Sequence, residues 1–211
     1  MRLPTFPHLA LAFRKARPMH RADLELLRKL PARYAYLAHE PGPKMLVHGL
    51  DHYGVQEYPG GADNPIILAW ARELDRPPYT WIGDMFAKGG DAVPWCGVFV
   101  GMVAKRAGKP LPNNPISALA WADWGHGVLD RPMLGDVLTF TRNGGGHVGI
   151  YVGEDDTAYH VLGGNQSNSV NITRIAKSRF YKARRFYAVG RPANVRAIRL
   201  GADGPLSENE A

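Results

Sequence analysis

The chain contains a single cysteine, Cys96, and eight histidines among its 211 residues. One thiol forms no intrachain disulfide, and a Cys-based zinc cluster would lack partners, so Cys96 is either a small buried hydrophobe or a nucleophile. A thiol attacks at neutral pH as the thiolate, and a helix start favours that anion through unpaired N–H groups and the positive end of the dipole. The surrounding residues offer this setting: a helix is expected from about Trp95 to Ala107, closed by Gly108, a residue type that ends helices in the left-handed conformation. Pro94 has no N–H, and Gly97 lets a substrate approach the backbone, so the N–H groups of this turn are candidate oxyanion donors.

Acyl transfer from an amide also needs an imidazole to take the thiol proton and return it to the leaving amine. His8, His20, His39, His48 and His52 lie in the irregular first quarter, and His126 follows Trp124-Gly125 in an expected loop. None of these has a rigid mount. His147 instead opens a strand directly after Gly144-Gly145-Gly146, with His147, Gly149 and Tyr151 on one face and Val148, Ile150 and Val152 on the other. Gly149 is expected to leave room for the helix end beside the imidazole. A third polar group should hold the working tautomer, and the next strand offers His160 and, past Gly163-Gly164, Asn165 and Gln166. The pattern of the residues does not rank them.

These groups need a scaffold, and the rest of the sequence describes one. Ile66, Ile67, Trp70 and Leu74 recur at helical spacing behind Asn64 as N-cap and Pro65 at the first helical position. A shorter helix is expected over Arg21 to Leu30, and a Pro- and Gly-rich loop over Pro77 to Gly90. From Asp136 onward the period becomes two, in segments Asp136 to Phe140, His147 to Val152, Ala158 to Leu162, Val170 to Ile175 and Arg185 to Val189. Helices first and an antiparallel sheet afterwards define an α+β fold. Repeated prolines and basic stretches mark residues 1–45 as an appendage, residues 46–192 as the catalytic domain and residues 193–211 as a tail, its last residues, Gly201 to Ala211, frayed and acidic.

Composition narrows the function. With 45% hydrophobic and 21% charged residues the chain can bury a core, and 211 residues suit one domain. A net charge of +7 favours an anionic partner. No zinc-finger spacing, RNA-binding aromatic signature or long Lys/Arg run accompanies it, so nucleic acid is not expected. The apolar run Leu9 to Phe13 is too short for a signal peptide or a membrane span, so the chain is expected to be made in the cytoplasm without membrane insertion. Glu57 and Asp63 are not paired across a site as glycosidase carboxylates would be. Trp95, Trp121 and Trp124 stand near the motifs, either as a groove wall for sugar or peptide or as core, the simpler reading.

The strings Pro94-Trp95-Cys96-Gly97-Val98-Phe99-Val100, Pro132-Met133-Leu134-Gly135-Asp136-Val137 and Gly146-His147-Val148-Gly149-Ile150-Tyr151-Val152-Gly153 resemble, in order and spacing, the CHAP (cysteine, histidine-dependent amidohydrolase/peptidase) and NlpC-type cell-wall hydrolases. With Gly54-Val55-Gln56-Glu57-Tyr58-Pro59-Gly60, Ala120-Trp121-Ala122-Asp123-Trp124-Gly125 and Val161-Leu162-Gly163-Gly164-Asn165-Gln166-Ser167, the chain looks like a subfamily common in phages and prophages, over roughly residues 50–190.

The resemblance implies a papain-like core, Cys96 as nucleophile and His147 as base in a peptidoglycan amidase or endopeptidase of the endolysin kind, with Gly97 and Trp95 on the oxyanion and substrate side. CHAP-like patterns favour Asn165 as third residue and NlpC-like ones His160. Asn165 is preferred, because the Gly163-Gly164 pair permits a tight backbone that aims its amide at the ring. No metal or organic cofactor is called for. The expected partner is peptidoglycan, met in the periplasm or wall after release, injection or as part of a virion. Two other readings share the chemistry: a phage tail or baseplate component that mainly binds, docked through residues 1–45 to tail or secretion-apparatus proteins, and a secreted antibacterial toxin.

Overall fold

Asn64 shows how directly local sequence sets one element. Its side chain accepts from the N–H of Ile66 at 2.8 Å and Pro65 takes the first helical position, so a helix starts there as expected. The computed structural model describes residues 21–128, 131–187, 190–208 and 210. Its helices are α1 (Arg21–Lys29), α2 (Lys44–Leu50), α3 (Pro65–Leu74), α4 (Ile82–Gly89) and α5 (Cys96–Arg106), with longer 3₁₀ turns at Ala32–His39 and Ala118–Asp123. The strands are β1 (His126–Gly127), β2 (Val137–Arg142), β3 (Gly145–Glu154), β4 (Ala158–Gly163), β5 (Asn171–Ala176) and β6 (Phe180–Arg185). They form one antiparallel sheet in the order β1-β6-β2-β3-β4-β5, so the α+β expectation holds.

The helix carrying Cys96 is the centre of the core. Every residue from Cys96 to Ala104 is buried, as an apolar, small-residue helix requires when it is covered on all sides. It packs on α2, α3 and β3, and Val148, Ile150, Val152 and Leu162 meet it from the sheet. Leu138, Phe140, Tyr151, Val161 and Ile175 form a smaller cluster from the alternate strand positions. Gly108 closes the helix at φ 69°, as expected.

Several boundaries differ from the sequence reading. Helix α4 occupies the stretch taken for a loop, where Ile82 and Phe86 are buried and outweigh the flanking glycines. The last long strand lies at Phe180–Arg185 rather than Arg185 to Val189, of which residues 188–189 lie outside the described residues. Its start is set by pairing with β2, and Arg185 ends it in a two-pronged contact to Asp136 at 2.7 Å. The prolines before Met45 do not isolate that segment: Leu30, Tyr34 and Leu37 join the same core as α5, and the Tyr36 hydroxyl donates to the carbonyl of Val152, beside a register shift in β3. Residues 1–20 lie outside the described residues. Beyond residue 193 the chain also packs back, with Glu154 N–H bonding Ile198 O and Leu200 N–H bonding Glu154 O, both at 2.9 Å. Among the described residues no helix is long and apolar enough to cross a membrane.

Candidate active site

Cys96 is the first residue of α5, and the hydrogen bond from Phe99 N–H to Trp95 O at 2.9 Å begins the helical ladder. The N–H groups of Cys96, Gly97 and Val98 therefore precede the first intrahelical bond and are free of helical duty. The sulfur lies against the backbone N–H of Val148, the residue that follows His147, so the nucleophile candidate sits on the strand that carries the base candidate. Cys96 is 5% exposed and His147 1% exposed. Burial pushes the thiol above its ordinary range, and the N–H of Val148, the charge of Arg142 and the N–H groups of Gly97 and Cys96 offset this in part. The expected net lowering by the helix start is thus overridden by desolvation.

His147 behaves likewise. Burial pulls its pKa down to about 4, against opposing effects of the Glu210 charge and the Gln166 hydrogen bond. Both shifts favour the uncharged forms, the thiol and the imidazole. Among the described residues no hydrogen bond joins the two, a looseness common before substrate binds.

The side chain that meets the ring belongs to Gln166, one residue beyond the Asn165 preferred from sequence. Gln166 Oε1 is 3.0 Å from His147 Nε2. The amide's orientation is fixed chemically, because its nitrogen donates to the carbonyls of Asn171 at 2.8 Å and Val161 at 3.2 Å, which carry no proton to give. Oε1 must then accept, His147 Nε2 must carry the proton, and Nδ1 is left as the basic nitrogen.

Local backbone explains the shift by one position. Asn165, Ser167 and Asn168 all adopt left-handed φ, at 55°, 50° and 59°, so the loop coils and turns Gln166 inward. The coil is held by Gln166 N–H to Ser169 O at 3.0 Å and by Asn171 Nδ2 to Gln166 O at 2.7 Å. Segment 54–57 runs beside it, with Gly54 N–H to Val170 O and Glu57 N–H to Asn168 O, both at 2.8 Å. The motif around Gln56 therefore supports the loop that orients the imidazole. The glycine pair has two separate tasks. A Cβ on Gly163 would stand 2.7 Å from Gln166 Oε1 and 3.0 Å from His147 Nε2, while one on Gly164 would stand 2.6 Å from both Phe99 and Trp95. One glycine admits the amide–imidazole contact and the other admits the Cys96 helix.

The remaining candidates are placed elsewhere. His160 does not reach His147: it is fully buried between the Tyr34 hydroxyl, 2.7 Å from Nδ1, and Asp155, 2.9 Å from Nε2. Trp95 is buried, its indole donating to Glu57 at 2.7 Å, and Trp121 and Trp124 donate to the carbonyls of Pro115 and Pro110. All three are core, so Trp95 offers no face to a substrate here. Gly97 is required by packing, since a Cβ would stand 2.2 Å from Ile116 O. Gly149 admits Val161 of the neighbouring strand rather than a helix end. Sequence reasoning missed Arg179 and Glu210, joined by two hydrogen bonds of 2.7 and 2.6 Å and close enough to the ring for the carboxylate charge to act on it. No local pattern marks that pair, which is 31 residues apart.

Compared with known proteins, the chain matches no family model and no curated protein.

Proposed function

We propose that the chain is a papain-like cysteine amidase or endopeptidase that cleaves an amide bond of bacterial peptidoglycan. The observation that supports this reading is the tautomer: Gln166 commits His147 Nε2 as a donor and leaves Nδ1 as the basic nitrogen, and the reading assigns to that nitrogen the proton of Cys96. In the reaction, the thiol proton passes to Nδ1 and the sulfur attacks the amide carbonyl carbon. Backbone N–H groups of the first turn of α5 hold the oxyanion. The imidazolium then protonates the leaving amine as the carbon–nitrogen bond breaks, leaving a thioester. Water gives a proton to Nδ1, attacks the thioester and releases a carboxylic acid and the free thiol.

The substrate class rests on the motif resemblance and on the charge of +7, which holds a protein near anionic wall polymers. Purified protein incubated with sacculi should release new amino groups, identified with the cleaved bond by mass spectrometry of the muropeptides. Cys96→Ala should abolish that release while the far-ultraviolet circular dichroism is unchanged. Equal release by both proteins would end the enzymatic reading and leave a wall-binding or tail-assembly role.

A further inference from the structure

Residues 201–208 bury almost nothing of their own, all but Ser207 being exposed, yet the chain is pinned to the domain step by step. Arg33 donates to the carbonyl of Asp203 and Arg174 to that of Gly204. Ser207 N–H bonds Arg174 O at 2.8 Å, and Ser167 N–H bonds Glu210 O at 3.1 Å. This path ends in a side chain with 0% exposure, and that side chain is a carboxylate. A tail docked merely for stability would bury apolar groups, because an isolated buried charge is costly unless paired.

The pairing is specific. Arg179 meets both oxygens of Glu210, a planar two-pronged contact that guanidinium makes with carboxylate. The guanidinium is held by the carbonyls of Thr141, at 3.2 Å, and Ser207, also at 3.2 Å. Thr141 pairs across the sheet with Gly146, the neighbour of His147, and Ser167 follows Gln166, the ring's hydrogen-bond partner. Glu210 thus holds the residue after Gln166 through its carbonyl and Arg179 through its side chain. Its charge acts on His147 in this position; burial pushes its own carboxyl up, but the Arg179 contact and the influence of His147 outweigh burial and leave it below the usual range.

We propose that Arg179 is a carboxylate-binding subsite beside the His147 centre, and that Glu210 fills it as an intramolecular competitor for an acidic peptide substrate. The proposal rests on the hydrolase reading for the identity of the centre, and it deepens that reading by naming the recognised group: a free carboxylate next to the scissile amide. Binding such a substrate exchanges one carboxylate for another on Arg179, so the ion pair is never left half-made.

Because Cys96 is the sole cysteine, its alkylation by iodoacetamide reports access to the centre without requiring turnover. In the full chain, Glu210→Ala and Glu210→Gln should raise the alkylation rate by about 10-fold or more. In the Glu210→Ala background, N-acetyl-L-alanyl-D-isoglutamate should protect the thiol at concentrations at least about 5-fold lower than its carboxamide. Adding Arg179→Gln should erase that difference. Arg179→Lys, which keeps the charge without the planar fork, should retain part of it and guards against a folding artefact. Unchanged alkylation in both Glu210 variants would overturn the competitor, and equal protection by acid and amide would overturn the subsite. Faster alkylation and selective protection without cleavage of sacculi would instead leave the subsite standing and remove the hydrolase reading.

Discussion

Two buried histidines on neighbouring strands have opposite fates. His160 on β4 has both ring nitrogens occupied: Nε2 donates to Asp155, itself bound by Arg174 at 2.8 Å, and Nδ1 accepts from Tyr34. His147 on β3 has one nitrogen committed to an amide and the other uncommitted among the described residues. Burial lowers the pKa of both, so burial does not separate them. The distinction is the number of ring nitrogens already used: a fully paired imidazole joins the 3₁₀ turn at Ala32–His39 to the sheet, whereas a half-paired one can accept a proton.

The comparison breaks most sharply on removing each ring. His147→Ala should lower kcat/KM on peptidoglycan by at least about 10³-fold, a loss of roughly 4 kcal/mol in transition-state stabilisation, with the fold retained by circular dichroism. His160→Ala should do the reverse. It leaves Asp155 and Tyr34 short of partners in the interior and should cost about 3 kcal/mol of unfolding free energy in a urea titration, with activity per folded molecule within a few-fold of wild type.

Acid should expose the neutral burial of His147. Its folded pKa of about 4 lies below its ordinary value, so between about pH 4 and 6.5 the unfolded chain takes up a proton that the folded chain excludes. Stability is then fully present above about 6.5 and is lost as the pH falls through that window. His147→Asn should flatten this dependence by up to about 3 kcal/mol, measured by denaturant midpoints at several pH values.

The amide partner is a smaller effect and separates two neighbours. Gln166→Ala should reduce turnover by about 10- to 100-fold through loss of tautomer control, while Asn165→Ala should change it by less than about 3-fold and cost roughly 1 kcal/mol of stability for a left-handed backbone. The opposite ranking would return the orienting role to Asn165. The smallest change is Tyr34→Phe, which deletes one hydrogen bond to His160 and should destabilise by about 1 kcal/mol without altering activity.

What could be read from residues alone was local. The α3 cap at Asn64-Pro65, the α5 stop at Gly108 and the strand at β3 depend on neighbours within a few positions. Each is set by backbone stereochemistry or by period, which a sequence displays. Helix α4 and the start of β6 were hidden because distant contacts, not their Gly-, Pro- or Arg-rich composition, hold them. The choice of Gln166 over Asn165 and His160 depended on a loop with left-handed residues on either side of Gln166 and on carbonyls of Val161 and Asn171 that orient one amide. The Arg179–Glu210 pair required the tail to fold back across the sheet. A side chain's direction and its exposure to water are set by everything packed around it, so residue types nominate a site and tertiary packing decides which of them meet.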